Sequence, residues 1–211
     1  MIKVKVCGMR DPLNTQAVAG ADPDYMGFIF HPGSKRFVGT SPDPVLFRMV
    51  PRHIGKVGVF VDEDPRQILN LAARLNLGVA QLHGNESVTC CRKIRSAGIM
   101  VMKAFGIAPG FDFTALMPYL PVCDYFLFDT KTSHHGGSGL QFNWDLLLQY
   151  GFDKPFFLSG GVGPGDEDVI AALKHPALRG VDINSCFENE PGIKDVDRVK
   201  TFITKIKTIT A

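Results

Sequence analysis

A closed (β/α)8 barrel is the fold class predicted for this 211-residue chain. Three observations predict it: eight short β-rich apolar runs, a helical stretch after each of them, and apolar residues on both faces of several runs. The runs cover residues 3–7, 25–30, 56–61, 79–82, 100–104, 125–129, 156–158 and 180–183. Gly27-Phe28-Ile29-Phe30 and Tyr125-Phe126-Leu127-Phe128 have no wet face, which suits parallel strands covered by helices rather than a half-exposed antiparallel sheet. An open, doubly wound sheet shares the alternation and is the structural alternative, but eight units close most simply into a barrel.

The helices follow in order. The first opens at Asp11-Pro12, the second covers 44–49, the third opens at Asp64-Pro65 and runs through Leu75, and the fourth spans 86–97. An Asp-Pro pair starts a helix well, because Asp caps free N–H groups and Pro has none to lose. A weaker segment, 113–119, follows the fifth strand, and segments 144–149, 166–173 and 195–207 follow the last three. At about 26 residues per unit the barrel is small for its class, so its loops must be short except where they do chemical work. Two are long, 31–41 after the second strand and 130–143 after the sixth, both at the C-terminal strand ends where this fold carries its active site. No linker or low-complexity tract divides the chain, so one barrel domain over 1–211 is expected.

Composition excludes several function classes. An apolar share of 45% and a charged share of 21% belong to a folded globular chain. Twenty-three basic against twenty-one acidic residues leave a formal charge of +2, with no dense Lys/Arg stretch, so no nucleic-acid partner is expected. Apolar runs are broken by Gly, Lys or Asp well short of the roughly 20 residues that cross a bilayer, so no membrane partner is expected either. The chain enters a strand pattern at once, without a cleavable leader, and a cytoplasmic location is expected. Five cysteines at positions 7, 90, 91, 123 and 186 form neither a disulfide framework nor a zinc-ligand spacing, and no Cys-x-x-Cys marks a redox protein.

Three groups of residues at strand C-termini carry candidate chemistry. Cys7 ends the first strand beside Gly8, which lets a substrate approach the backbone. A lone Cys there is commonly a small buried hydrophobe, but at a barrel mouth it is also a usable base or nucleophile once a positive charge stabilises its thiolate. Alternation puts Lys5 on the same side of the strand. Asp129 ends the apolar sixth strand and opens a Gly-rich loop that includes Gly137. It is either a local cap or, in an apolar setting that favours its protonated form, a general acid opposite Cys7. The third group is a pair of anion-site candidates, Ser159-Gly160-Gly161 after the seventh strand and Asp182-Ile183-Asn184-Ser185-Cys186-Phe187-Glu188 after the eighth. Glycine-rich turns let backbone N–H groups converge on a phosphate, and barrels bind phosphate with these two loops. Arg36 in the long second loop is either a solvated side chain or a fork for a substrate carboxylate, and His83 at the end of the fourth strand has a positioning or structural role.

Taken together, Lys5-Val6-Cys7-Gly8, Gly27-Phe28-Ile29-Phe30 with Ser34-Lys35-Arg36, Asp64-Pro65, Gln81-Leu82-His83-Gly84, Phe128-Asp129, Gly137-Ser138-Gly139 with Asn143-Trp144, Ser159-Gly160-Gly161 and Gly180-Val181-Asp182-Ile183 with Pro191-Gly192-Ile193-Lys194-Asp195 resemble the phosphoribosylanthranilate isomerases of tryptophan biosynthesis. The resemblance implies a (β/α)8 barrel, an aldose–ketose isomerisation of a small phosphorylated substrate without metal or other cofactor, and a chain that works as a monomer or homodimer. It places the family's base on Cys7, its acid on Asp129, its anthranilate-carboxylate contact on Arg36 and its phosphate site on the loops holding Gly160, Gly161, Asn184 and Ser185. Substrate contacts are also expected from His83, Gly137 and Asp182. Two departures stand out: Cys186 where the family usually has Gly, and His31-Pro32-Gly33 in the second loop. The competing readings are another sugar-phosphate isomerase or synthase barrel, such as an indole-glycerol-phosphate synthase or a histidine-pathway isomerase, and a non-catalytic phosphate-ligand sensor. Against the synthase, no catalytic Lys/Glu set stands at the strand ends.

Overall fold

Runs that are apolar at both odd and even positions need two dry faces, and the computed structural model, which describes residues 1–131 and 141–210, supplies them. Strands β1 (Lys3–Val6), β2 (Tyr25–Ile29), β3 (Gly55–Phe60), β4 (Val79–Leu82), β5 (Met100–Ile107), β6 (Tyr125–Thr130), β7 (Phe156–Leu158) and β8 (Leu178–Ile183) are parallel and ordered as in the sequence. β8 pairs back onto β1, with Lys3 opposite Gly180 and Lys5 opposite Asp182, so the sheet is closed and the open alternative is excluded. One set of side chains, including Tyr25, Val57, Val79, Met102, Leu127 and Phe157, fills the inside of the barrel. The other, including Val4, Phe28, Leu82, Phe126 and Phe156, packs outward under the helices.

Helices α1 (Pro12–Ala19), α2 (Pro44–Arg48) and α3 (Pro65–Leu75) each begin at an Asp-Pro step. Asp11, Asp43 and Asp64 cap them, accepting the amides of Asn14, Val45 and Arg66 at 2.7, 2.8 and 2.7 Å. Helices α4 (Val88–Ser96), α5 (Glu167–Ala172) and α6 (Val196–Ile209) complete the α-helical part of the outer ring, α6 capped by Asp195 through the amide of Arg198 at 3.1 Å. No helix among the described residues is long and apolar enough to cross a membrane.

Several expected boundaries move for physical reasons. The crossovers after β5 and β6, Phe113–Tyr119 and Trp144–Gln149, are 3₁₀ turns rather than α-helices, the first containing Pro118, which has no N–H to continue a ladder. Helix α4 starts later than residue 86 because Glu86 turns inward. Its carboxylate accepts the amides of Asp62 and Gly84 at 3.0 Å and pairs with Lys103 at 3.2 Å, and Ser87 takes over the cap. β5 continues to Ile107 because Phe105, Gly106 and Ile107 find partners in Phe128, Asp129 and Thr130. Between β8 and α6 lies a feature the periodicity does not reveal: a 3₁₀ turn, Ser185–Phe187, followed by an antiparallel pair, β9 (Glu188–Glu190) and β10 (Ile193–Lys194), that turns at Pro191-Gly192.

Where the crossovers are only 3₁₀ turns, aromatic rings build the outer wall. Phe128, fully buried, meets Phe113, Tyr150 and Phe156 at ring-centre distances of 5.9, 5.1 and 5.0 Å. Deleting so large a buried ring leaves a cavity that the short crossovers have few atoms to fill. Phe128→Ala is therefore expected to lower stability in urea unfolding by about 3–5 kcal/mol, whereas Leu148→Ala, at an exposed position, should stay within about 0.5 kcal/mol of the parent.

Candidate active site

Side-chain alternation decides what the barrel mouth presents. With one parity of each strand facing inward, Lys5 and Cys7, Gln81 and His83, Leu127 and Asp129, and Asp182 and Asn184 point to the barrel axis, the second of each pair nearer the C-terminal rim. One cavity at that rim collects Cys7, His83, Asp129 and Asp182 from the strands, Arg36 from the second loop, and Gly160, Gly161, Asn184 and Ser185 from the last two loops. The structure thus brings together every predicted site residue but one: Gly137 lies outside the described residues.

Cys7 sits at the seam where β1 meets β8. Its side chain is buried, and directly beneath it Lys5 Nζ lies 2.8 Å from Asp182 Oδ1, with both partners shielded from solvent. Burial pushes the thiol above its ordinary range; the Lys5 ammonium, which hydrogen-bonds to it, and the more distant Lys194 pull the other way. Burial pulls the Lys5 pKa down, but Asp182 and Cys7 outweigh it and keep it raised. Asp182 Oδ1 is thus the counter-charge of Lys5, and the side chain also lines the cavity.

Asp129 stands on β6 with donors on both oxygens. Its Oδ1 accepts the Thr130 amide at 2.8 Å, and His83 Nε2 lies 3.2 Å from Oδ2. The side-chain amide of buried Gln81 meets His83 Nδ1 at 2.9 Å, which orients the ring so that Nε2 faces the carboxylate. The His83 ring is thus held between Gln81, a residue not anticipated from the sequence, and Asp129. Gly160, at φ +80°, permits the loop after β7 to lie against this acid: a Cβ there would collide with Thr130 and stand 2.9 Å from Asp129 Oδ1.

The two phosphate-loop candidates lie side by side. Gly160 and Gly161 both have positive φ, and among the described residues their amides and that of Ser185 donate to no main-chain carbonyl. Asp166 braces the first loop, Oδ2 accepting the amide of Gly163 at 2.8 Å and Gln141 Nε2 at 2.7 Å. Cys186, the departure from the family pattern, bridges the loops by donating its thiol to the Gly161 carbonyl at 3.7 Å. The side chain of Asn184 is already engaged, its Oδ1 accepting Lys194 Nζ at 2.6 Å. Arg36 is likewise held, by Glu188 on β9. Neither Glu188 nor Lys194 is singled out by strand-end position, because both stand on the small hairpin beyond β8; the Pro191-Gly192 turn was the available signal.

The family of N-(5'-phosphoribosyl)anthranilate (PRA) isomerases matches residues 4–205 of the chain. The chain belongs to this family. Among the isomerase relatives, that of Phocaeicola vulgatus is 45% identical over 204 residues, 97% of each chain. A solved isomerase in complex with reduced 1-(o-carboxyphenylamino)-1-deoxyribulose 5-phosphate superimposes with a TM-score of 0.84 at 32% identity, over 99% of this chain and 100% of that one. The isomerase of Thermotoga maritima gives a TM-score of 0.84 at 36% identity over the same shares. Cys7, Arg36, His83, Asp129, Gly160, Gly161, Asn184 and Ser185 line one cavity of this barrel.

Because Lys5 is the leading charge that opposes burial at Cys7, Lys5→Met should move the thiol pKa higher still. Alkylation of Cys7 by iodoacetamide, followed by peptide mass spectrometry between pH 7 and 10, should then reach half its limiting rate at a higher pH than in the parent. A shift to lower pH would contradict the assignment of Lys5 as the stabilising charge.

Proposed function

We propose that Cys7 and Asp129 act as general base and general acid in the isomerisation of N-(5-phosphoribosyl)anthranilate to 1-(2-carboxyphenylamino)-1-deoxyribulose 5-phosphate. The observation that carries the assignment is that a thiol from β1 and a carboxyl group from β6 share one cavity wall with the two glycine-rich anion loops. Asp129 protonates the furanose ring oxygen as the C1′–O bond opens, and the anthranilate nitrogen becomes an iminium. That cation acidifies the C2′ proton, which the Cys7 thiolate removes. The enolamine tautomerises to the ketone. The substrate is only rearranged; the proton lost by Asp129 is matched by the one gained at Cys7, and a proton passing back from Cys7 to Asp129 through solvent restores both groups.

Positioning falls to the rest of the cavity. The main-chain amides of Gly160, Gly161 and Ser185 face the substrate phosphate, Cys186 holding the two loops together across the Gly161 carbonyl. Arg36 receives the anthranilate carboxylate. His83, oriented by Gln81, keeps the Asp129 side chain aimed at the ring oxygen. In this reading the chain is one cytoplasmic barrel domain over 1–211, acting on a small phosphorylated substrate as a monomer or homodimer; the T. maritima relative is dimeric.

With freshly generated phosphoribosylanthranilate and its fluorescence as the signal, Cys7→Ala and Asp129→Asn should each fold and each lose at least about 100-fold in kcat, the scale of one acid or base in such reactions. Full turnover by Cys7→Ala would remove the thiol from the mechanism.

A further inference from the structure

Arg36 comes from a long loop, yet its side chain is nearly buried, and what buries it is an internal carboxylate. Glu188 accepts Arg36 Nε at 2.8 Å on Oε1 and 3.1 Å on Oε2, and Arg36 Nη2 at 2.6 Å on Oε2. One edge of the guanidinium, Nε with Nη2, is therefore consumed. Among the described residues Nη1 has no partner, and Arg36 lines the cavity. Because the guanidinium is a planar fork of five donors, fixing one edge leaves the Nη1/Nη2 end as the only one a second carboxylate can approach side-on.

The carboxylate that does this is itself saturated. Glu188 and Lys194 are cross-strand partners in the β9/β10 hairpin, and Lys194 Nζ lies 2.6 Å from Glu188 Oε1. The Gly192 amide adds a third donor to the same oxygen at 3.1 Å. Lys194 is fixed in turn by Asn184 Oδ1 at 2.6 Å, and it is fully buried. Gly8 allows Arg36 and Asn184 to close over the strand end beside Cys7, since a Cβ there would lie 2.6 Å from Arg36 Cδ and 2.8 Å from Asn184 Oδ1. A carboxylate with this many donors is a poor competitor for release from Arg36, so it acts as an anchor and not as a stand-in that a ligand displaces. Two cations and one anion leave one surplus positive charge at the mouth.

We infer that Glu188, held by Lys194 across the hairpin, is a positioning residue that presents the free end of Arg36 to an anionic group on the amine part of the substrate, and so sets selectivity for aryl amines that carry a carboxylate. The inference rests on the reading of Arg36 given above.

The test compares two substrates in each variant: N-(5-phosphoribosyl)anthranilate and N-(5-phosphoribosyl)aniline, which lacks the carboxylate. The readout is the ratio of their kcat/KM values, which a partial loss of folded protein leaves unchanged. In Glu188→Gln this ratio should fall by about 10- to 100-fold, the scale on which misplacing a binding group acts, and in Glu188→Asp it should fall by less. Arg36→Gln should lower the ratio at least as far, and adding Glu188→Gln to it should lower it no further. A ratio that stays at the parental value in Glu188→Gln while Arg36→Gln collapses it overturns the positioning role alone. A parental ratio in Arg36→Gln overturns the reading of Arg36 beneath it.

Discussion

The closure of the sheet between β1 and β8 is the constraint on which the site depends, and a buried ion pair marks it. Lys5 and Asp182 are register partners across that seam, and both side chains point into a barrel whose interior is mostly apolar. Such a pair gains little over an apolar replacement, because desolvation offsets most of its attraction, while losing one partner strands the other. Its value here lies in location. An ammonium held one layer below Cys7 supplies the leading electrostatic opposition to burial of the thiol, and Asp182 keeps that ammonium charged and in place.

Two kinds of information decided what could be read from the sequence. Cys7, His83 and Asp129 were legible because strand parity and the C-terminal rim together fix where an inward residue ends up, whatever the loops do. The Asp-Pro caps were legible because their signal is local, within three residues. Glu86 was not: its type and neighbours suit the first turn of a helix, and only the distant Lys103 and the amides of Asp62 and Gly84 draw it inward. Glu188 and Lys194 escaped for a similar reason. Their pairing depends on a seven-residue hairpin too short to show periodicity, and their joint meaning depends on Arg36, more than 150 residues away.

Cys186 shows how a departure from a family pattern can be absorbed. A side chain between two glycine-rich loops threatens the space their amides need, but this thiol turns to the Gly161 carbonyl and its Cβ stays 3.5 Å from the position a Cβ would take at Gly163. A weak sulfur donor thus joins the last two loops, as Gln141 joins the loop after β6 to the loop after β7, which Asp166 braces from within. The Gly160, Gly161 and Ser185 amides, which among the described residues have no main-chain partner, are the ones an anion needs.

The electrostatics also bear on the order of events in the proposed reaction. Burial raises the Cys7 thiol, so near neutrality the thiolate is a minor form, and an incoming substrate with carboxylate and phosphate groups brings further negative charge that disfavours it. A base of raised pKa is stronger once formed, which compensates in part. The larger compensation comes from the substrate itself. Ring opening at Asp129 creates a cationic iminium one bond from the carbon whose proton Cys7 must take, so a thiolate that is costly against the bound substrate is favoured against the intermediate. The Lys5 and Lys194 ammonium groups work in the same direction. A base buried beside fixed cations is therefore suited to the step after ring opening, and the acid, nearer solvent on the opposite side of the barrel, to the step that begins it.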